Sequence, residues 1–274
     1  MQIVGYDAAD GGLLLSPGND DAGGSTAAAP AGSSDTNDTD DQLTYRSLDP
    51  QAELEFTLGE RHCAGTIHDD HHIACSDPTA PYCSDHDTTW VCARCTGTCL
   101  KDEMDCNDDH AIYLAAFAPA TFKVGVTKLW RLETRLREQG ADRAAHIATV
   151  ENGRIARERE AEIAAEIPDR VRVPTKQAGL GRAVDTDAWE ATLADFDPIE
   201  RFGFDYGLDL EHAPIPDTRA DGRVRGTKGR VLLLAVGDTT YGVDLRALVG
   251  YEVQSDVERA ADRQASLGTF SQAE

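Results

Sequence analysis

Residues 111–127 read AIYLAAFAPATFKVGVT, two apolar runs joined by the short connection Ala-Pro-Ala-Thr. This pattern predicts a β-hairpin. Successive side chains of a strand point to opposite faces, so the second run divides into two sets. One face carries Phe122, Val124 and Val126, and the other carries Lys123, Gly125 and Thr127. The hairpin is therefore predicted to have one apolar face and one face that presents a lysine.

Helical patterns follow the hairpin. The first helix is expected to be capped by Thr127 and to end before Gly140, because threonine favours the N-cap and glycine favours the position after a helix. The stretch HIATV, residues 146–150, predicts another strand. A second helix is predicted from near Gly153 to Pro168.

Both ends of the chain are predicted to be rich in strands. MQIVGYD, GLLLS, LTYRSL and AELEFTLG indicate strands before residue 62, and residues 223–254 return to strand character around a Gly-Asp-Thr-Thr hairpin turn. We expect the two ends to pair. Residues 17–41 contain no large apolar side chain and are predicted to be disordered, because they cannot bury enough surface to offset the entropy of ordering.

Together these patterns predict an α+β fold. It combines a Cys/His segment, a small mixed sheet with flanking helices, and a β-rich domain built from both chain ends. The boundaries that we expect are a β-rich part at 1–61, a zinc-binding segment at 62–110, a small α/β module at 111–182, a helix (187–196) and β-rich part at 183–254, and a flexible tail at 255–274.

The composition is strongly acidic. The chain has 274 residues, with 49 acidic against 26 basic residues and a net charge of −23, and only five residues are lysine. This charge excludes a protein that coats nucleic acid over its whole surface. An acidic, lysine-poor composition that retains arginine is typical of a halophilic protein. Since no run reaches the roughly 18 apolar residues of a membrane helix, and MQIVGYDAAD does not resemble a secretory signal, we expect a cytoplasmic protein without a membrane partner.

Cysteine and histidine are concentrated in one segment. All seven cysteines lie between Cys63 and Cys106, and six of the eight histidines lie between His62 and His110. An odd number of cysteines cannot pair completely in disulfides, and such clusters in intracellular chains are typical of zinc. The alternative is a set of scattered buried thiols. A redox role for the CxxC pair would need a thioredoxin-like βαβ context, which the sequence lacks.

One or two structural zinc ions are expected in this segment. Cys92 and Cys95 have the spacing that places two thiolates on one tetrahedral ion. Seven cysteines and one histidine supply the ligands of two closed sites. The preferred assignment gives Cys63, Cys75, Cys92 and Cys95 to one ion, and Cys83, Cys99, Cys106 and His110 to the other. His86 competes with His110 or Cys99, and the roles of His71 and His72 stay open.

The middle of the chain differs from the rest in charge. Residues 120–182, here called the basic region, hold 13 Lys+Arg against 9 Asp+Glu. A phosphate-bearing partner could bind there; the alternative is a solvated helical surface. In a salty cytoplasm the Debye length is about 3 Å at 1 M, so recognition would depend on close contacts such as those of arginine.

The second helix carries a carboxylate on its apolar side. Its apolar stripe consists of Ala156, Ile163, Ala164 and Ile167. Glu160 lies in the middle of this stripe, and a buried carboxylate is costly unless it is paired, protonated or bound to a cation. Arg135 on the first helix is a candidate partner. The alternatives are a structural ion pair with an arginine and a site for Mg²⁺ or Mn²⁺.

Four residues could form a phosphodiester-cleaving set: Tyr113, Lys123, Arg135 and Glu160. The phenol, or a water polarised by the lysine, would serve as base or activate the nucleophile. Arginine would stabilise the phosphorane charge, and glutamate would hold Mg²⁺. Each residue alone has a simpler explanation, since a tyrosine such as Tyr113 is commonly part of a core.

These motifs resemble a known module. The chain has Ile112-Tyr113-Leu114, Lys123-Val124-Gly125-Val126-Thr127, Arg131 and Arg135, Gln139-Gly140-Ala141 and the helical Glu160. They resemble the GIY-YIG nuclease module over about residues 111–170. With RHCAG, CARC and the later Gly226-Thr227-Lys228-Gly229, the chain over about 1–254 resembles domain-of-unknown-function family 2797. The resemblance implies a small GIY-YIG-like mixed sheet flanked by helices, beside a zinc segment.

The resemblance carries over Tyr113, an arginine and Glu160, but Ala111 stands where the first tripeptide has Gly, and Lys123 where the second has Tyr. Three functions follow. The first is a divergent Mg-dependent endonuclease acting on DNA or RNA. The second is a zinc-stabilised nucleic-acid-binding module without catalysis. The third is a protein-interaction scaffold in which the basic region pairs with acidic parts of the same chain.

Overall fold

The computed structural model describes residues 1–17, 43–68, 71–87 and 107–255. Within them the chain has mixed helix and sheet content, mostly strands, which confirms the predicted class in outline. The loop predicted at 17–41, apart from Pro17, lies outside the described residues, as do Cys92, Cys95, Cys99, Cys106 and residues 256–274. None of the described helices is long and apolar enough to cross a membrane.

Fifteen strands and five α-helices make up the described structure. The strands are β1 (Gln2–Asp7), β2 (Gly12–Ser16), β3 (Thr44–Ser47), β4 (Glu53–Arg61), β5 (Thr66–His68), β6 (His71–Ile73), β7 (His110–Phe117), β8 (Thr121–Lys128), β9 (Arg143–Val150), β10 (Glu200–Gly203), β11 (Ile215–Pro216), β12 (Ala220–Lys228), β13 (Val231–Val236), β14 (Thr239–Asp244) and β15 (Tyr251–Ser255). The helices are α1 (Leu132–Gln139), α2 (Gly153–Ile163), α3 (Val173–Gly179), α4 (Thr186–Leu193) and α5 (Leu245–Leu248).

The larger sheet joins strands from both ends of the chain. Its order is β11-β14-β13-β12-β4-β15-β1-β2-β3, antiparallel throughout except between β11 and β14. Strand β4 lies between β12 and β15, so the N-terminal and C-terminal strands are interleaved. The predicted turn between β13 and β14 is confirmed, with Gly237 at a positive φ of 56°. Leucine, isoleucine and valine side chains of these strands form the main core.

The smaller sheet contains the predicted hairpin. Its order is β10-β9-β7-β8, and every residue of the inner strand β7 is buried. Register pairs Tyr113 on β7 with Gly125 on β8. Phe122, Val124 and Val126 pack on the side of α4, in a core with Trp189, as the alternation predicts. The opposite side, which includes Tyr113, packs against Leu132 and Leu136 of α1.

Two helix boundaries differ from the prediction. Thr127 does not cap a helix, because the pairing of β7 with β8 continues to Lys128; a 3-10 turn (Leu129–Arg131) then precedes α1. Helix α2, capped by the side chain of Asn152, ends at Ile163 and not at Pro168. The chain beyond α2 turns back along the free edge of β8, where the carbonyl of Pro168 accepts a hydrogen bond from the amide of Val124 at 2.9 Å.

The two sheets meet where the backbones of Gly140 and Gly229 touch. Both residues have positive φ, 68° and 53°. A Cβ atom on Gly229 would lie 2.5 Å from the amide nitrogen of Gly140, so only glycine allows this approach. An ion pair between Lys228 and Asp142 lies beside the contact. The contact places Gln139 and Arg230, the neighbours of the two glycines, at a cleft between the sheets.

Candidate functional site

Three cysteines and one histidine converge beyond the end of β4. The ligand atoms of Cys63, Cys75, Cys83 and His86 all lie within 4.8 Å of one another. Nδ1 of His86 is 3.2 Å from Sγ of Cys83 and 3.5 Å from Sγ of Cys63. Zinc bonds of about 2.3 Å to sulfur and about 2.0 Å to nitrogen give tetrahedral edges of roughly 3.5–3.8 Å. The cluster can therefore hold one metal ion, and its donor set is typical of structural zinc.

Backbone hydrogen bonds position these ligands. The amides of Gly65 and Cys83 donate to Sγ of Cys63 at 3.4 Å and 3.3 Å, an arrangement that suits a thiolate ligand because N–H donors offset part of its charge. The amides of His86 and Asp87 donate to the carbonyl of Cys83 at 3.1 Å and 2.8 Å. The resulting turn brings the imidazole of His86 beside the thiol of Cys83.

This grouping differs from the predicted assignment. Cys63 and Cys75 lie together, as the assignment has them, but Cys83 and His86 complete their cluster. The assignment instead gave Cys83 to the second ion and completed the first with the CxxC pair. A turn between Cys83 and His86 accounts for the difference, since it brings two ligands together without a CxxC motif. The second site stays a prediction, because its remaining cysteines lie outside the described residues.

The other histidines of the segment have different surroundings. His72 makes two hydrogen bonds, through Nδ1 to Oγ of Ser16 at 2.7 Å and through Nε2 to the carbonyl of Ala64 at 2.8 Å, and so ties β6 to β2. His71 is exposed. Nδ1 of the predicted ligand His110 lies 2.6 Å from the carbonyl of Asp108. A hydrogen bond of this kind leaves Nε2 for a metal, so His110 remains suited to the predicted second site.

A cleft of about 980 Å³ lies between the two sheets. The four residues predicted as a catalytic set, Tyr113, Lys123, Arg135 and Glu160, all line it. Its other charged lining residues are Asp7, Glu138, Arg157, Asp169, Arg170, Arg172, Lys176 and Arg230. Cationic side chains thus outnumber acidic ones in the cleft, in a chain whose net charge is −23.

The side chain of Tyr113, on β7, lies over Gly125, its partner on the neighbouring strand β8. It is 1 % exposed, and its hydroxyl oxygen accepts a hydrogen bond from Nε2 of Gln139 at 2.7 Å. Burial raises the pKa of Tyr113, and the nearby Arg135 guanidinium offsets part of this rise. At neutral pH the group is therefore a phenol that can donate a hydrogen bond, and not a phenolate.

Gly125 leaves the space that Tyr113 occupies. A Cβ atom there would lie 2.5 Å from the hydroxyl oxygen of Tyr113. We expect Gly125→Ala to lower the free energy of unfolding by about 1–3 kcal/mol in guanidinium denaturation, because the added methyl group must displace a buried ring. Gly203→Ala is the matched control on β10, where a Cβ atom would meet nothing within 4 Å. Equal losses in the two variants would contradict this account of Gly125.

Two half-buried lysines of the cleft lack an acidic partner. In the described part of the chain, neither Lys123 nor Lys176 has a carboxylate within ion-pair distance, unlike Lys128 and Lys228. Burial lowers the pKa of Lys123 to about 8 and that of Lys176 to about 7. Nζ of Lys176 donates to the carbonyl of Gln139 at 2.7 Å. An anion bound in the cleft would offset the free-energy cost of burying both ammonium groups.

Glu160 is buried as predicted, at 8 % exposure, and forms an ion pair. Its Oε2 accepts from Nη1 of Arg157 at 2.6 Å, three residues earlier on the same helix. Arg135, the candidate partner from the sequence, pairs instead with Glu138 at 3.0 Å. Glu160 therefore forms a structural ion pair with Arg157 and also lines the cleft.

Sequence reasoning did not single out Lys176, Arg157 or Arg230. Lys176 lies on α3, in a stretch without clear periodicity, and Arg230 reaches the cleft from the far end of the chain through the contact at Gly229. One signal was available for Lys176. The chain has only five lysines, and a lysine retained in such a composition is a candidate for a specific role.

Comparison with known proteins gives one match. The model of a family described as a protein of unknown function, DUF2797, matches residues 52–211. This span includes the Cys/His cluster and all four strands of the smaller sheet. No curated protein matches the chain. No solved structure matches it either.

Proposed function

The chain belongs to the DUF2797 family, and because that description names no activity we propose a function from the geometry: a zinc-stabilised protein whose cleft binds nucleic acid through its phosphate backbone. The observation that carries the proposal is the pair of half-buried lysines, Lys123 and Lys176, which form no ion pair among the described residues: Lys123 has Glu160 and Asp169 only as more distant charges, and the charges that act on Lys176 are all positive. Buried ammonium groups are stable when an anion completes their surroundings.

The cleft offers the donors that phosphate groups need. Arg135, Arg157 and Arg230 supply guanidinium groups, which bind phosphate oxygens through paired hydrogen bonds. The same cleft offers an acceptor, because Oε1 of Gln139 is buried and has no hydrogen-bond partner in the described structure. A ligand with phosphate oxygens and a nearby hydroxyl or amino group would satisfy both. The net charge of −23 gives no general attraction to nucleic acid, so affinity depends on these close contacts.

The metal cluster supports this function through the fold. With Cys63, Cys75, Cys83 and His86 as ligands, a zinc ion has four protein donors and no open position. Such a closed site stabilises structure and does not activate water. The loop that carries the ligands packs on the larger sheet through Ala64, next to Val4 and Val249. Zinc is therefore proposed to hold this loop against one of the sheets that form the cleft.

A divergent endonuclease is the second candidate, favoured because Tyr113, Lys123, Arg135 and Glu160 line one cleft. Lys123, with a pKa of about 8, could accept the proton of an attacking water in its neutral form. Arg135 would stabilise the charge that develops on phosphorus. Glu160 would hold Mg²⁺ or Mn²⁺ after releasing Arg157. This candidate follows the resemblance to the GIY-YIG module, with a lysine in place of the second tyrosine.

Binding and cleavage can be separated in one experiment. Labelled single- and double-stranded DNA and RNA are incubated with the protein, with Mg²⁺ or Mn²⁺, at low and at molar salt. We expect Lys123→Met to weaken binding by about 10- to 150-fold, because a charged hydrogen bond is worth about 1.5–3 kcal/mol. Lys128→Met is the matched control on the same strand, since Lys128 pairs with Asp108 at 2.6 Å and does not line the cleft.

The results of this experiment distinguish the binding module, the endonuclease and the protein-interaction scaffold. Binding that survives Glu160→Gln, without cleavage by the wild type, supports the binding module. Cleavage that Glu160→Gln abolishes supports the endonuclease. Failure of the wild type to bind any of the four nucleic acids contradicts both and favours a protein-interaction scaffold.

A further inference from the structure

Trp130 is an exposed aromatic side chain in the basic region. At 74 % exposure it is more exposed than any other large apolar side chain of the described residues. It lies in the 3-10 turn between β8 and α1, and none of the three residues of that turn is buried. The indole therefore contributes nothing to a core, and its position is open to a partner.

A cation–π contact with Arg131, followed by two ion pairs of Glu138, connects this indole to the cleft. The guanidinium of Arg131 lies 5.8 Å from the centroid of the Trp130 ring and donates to Oε1 of Glu138 at 2.8 Å. Glu138 lines the cleft and also binds Arg135 through its Oε2 at 3.0 Å. The aromatic ring, two guanidinium groups and the rim of the cleft thus form one continuous surface.

We propose that Trp130 is a stacking platform for an unpaired base, and that the nucleic acid bound by the cleft is single-stranded. The proposal rests on the proposed function and deepens it. Every base has a flat face that packs on an aromatic ring, and in a single strand this face is free. In a duplex the bases stack on one another, so a surface indole cannot reach them. In this proposal the guanidinium groups of Arg131 and Arg135 bind the phosphates next to the stacked base.

The surroundings of Trp130 fit a nucleic acid better than a protein partner. Protein interfaces centre on contiguous apolar patches with several anchors. Within the 3-10 turn Leu129 is the one other apolar residue, at 36 % exposure, and the helix α1 that follows carries Glu133, Arg135 and Arg137. An isolated ring among guanidinium groups is the arrangement with which proteins bind single strands.

The test compares three variants against two ligands. Affinity is measured by fluorescence anisotropy for a labelled oligothymidylate and for a duplex of the same length. Trp130→Ala is expected to weaken oligothymidylate binding by about 5- to 150-fold, the range that stacking of one base supplies, and to leave duplex binding unchanged. Trp130→Phe should restore most of the affinity, because a phenyl ring also stacks. Ile215→Ala, at a residue 54 % exposed on the edge of the larger sheet, is the control and should change neither affinity.

Indole emission gives a second readout. Oligothymidylate should quench the fluorescence of a Trp90→Phe protein, and adding Trp130→Phe should remove most of this quenching, since the one remaining tryptophan, Trp189, is buried. Unchanged oligothymidylate binding by Trp130→Ala, or an equal loss for duplex, would overturn the stacking role while leaving the cleft as the binding site. A wild type that binds neither ligand would instead contradict the proposed function itself.

Discussion

Replacing His86 with asparagine is expected to remove one zinc ion per chain and to lower the melting temperature by about 10 °C or more. Loss of one of four ligands opens the site, and structural zinc contributes folding free energy directly. The cluster joins Cys63, at the end of β4, to the loop that carries Cys75 and Cys83. From β6 to residue 87 the described loop has no helix or strand, so the ion would add to the few contacts that fix it, such as the main-chain hydrogen bonds from Cys63 to Asp77 and from Ala64 to Pro81.

His71→Asn is the matched control for this variant. It makes the same chemical change in an exposed histidine of the same segment that lies outside the cluster. Metal content by elemental analysis and melting temperature should both match the wild type. Cobalt substitution gives a further measure, since thiolate-to-cobalt absorption should fall in Cys83→Ser and stay intact at this cluster in Cys92→Ser. Full zinc content in His86→Asn, or a cluster emptied by Cys92→Ser, would contradict the observed grouping.

Lys176→Arg is expected to remove most of the fall in nucleic-acid affinity that the wild type shows between pH 6.5 and 7.5, and to leave the fall that Lys123, with a pKa of about 8, causes above that range. Burial, together with the nearby positive charges of Lys123, Arg230, Arg135 and Lys228, lowers the pKa of Lys176 to about 7. A bound phosphate would raise this pKa, so binding takes up a proton. Affinity is then highest below pH 7 and declines by up to about tenfold per pH unit above it. Arginine stays charged throughout.

Lys176 should also make the free energy of unfolding depend on pH in the absence of a ligand. The unfolded lysine titrates near 10.5, so between pH 7 and 10.5 the unfolded chain binds more protons than the folded one. The contribution of Lys176 to the free energy of unfolding must therefore rise with pH across this window. Lys176→Met should remove that rise, which denaturant titrations at pH 7 and pH 9.5 can measure. A wild-type affinity that is constant from pH 6.5 to 8.5 would show that Lys176 does not contact the ligand.

Local patterns in the sequence predicted much of the fold. The two apolar runs predicted the hairpin of β7 and β8. The alternation from Phe122 to Thr127 predicted which side chains of β8 share a face, because side-chain direction in a strand depends only on position. The stripe on α2 placed Glu160 among buried side chains for a similar reason. The cap at Thr127 was wrong because pairing with β7 continues past it, and strand pairing is a long-range effect that a cap motif does not reveal.

The site depends more on distant contacts. No local pattern relates Arg230 to Tyr113, since the cleft between them exists only when the two sheets meet. Cys83 and His86 have the same two-residue spacing as Cys92 and Cys95, so the sequence did contain a signal for this pair; that Cys63 and Cys75 join it depends on how the loop folds back after β4. Charge composition identified the basic region, but which of its cations lack a carboxylate partner could be seen only in three dimensions.

The backbone contact between Gly140 and Gly229 separates two properties of the cleft. Side chains that line it decide which chemical groups it recognises, and these can be exchanged one at a time. Its aperture depends instead on how closely two main chains approach, because Gln139 and Arg230 are held by the glycines beside them. A single methyl group added at either glycine would present the same charges at a wider spacing. If the cleft binds a ligand as proposed, the size that it accepts would then depend on two residues that do not line it.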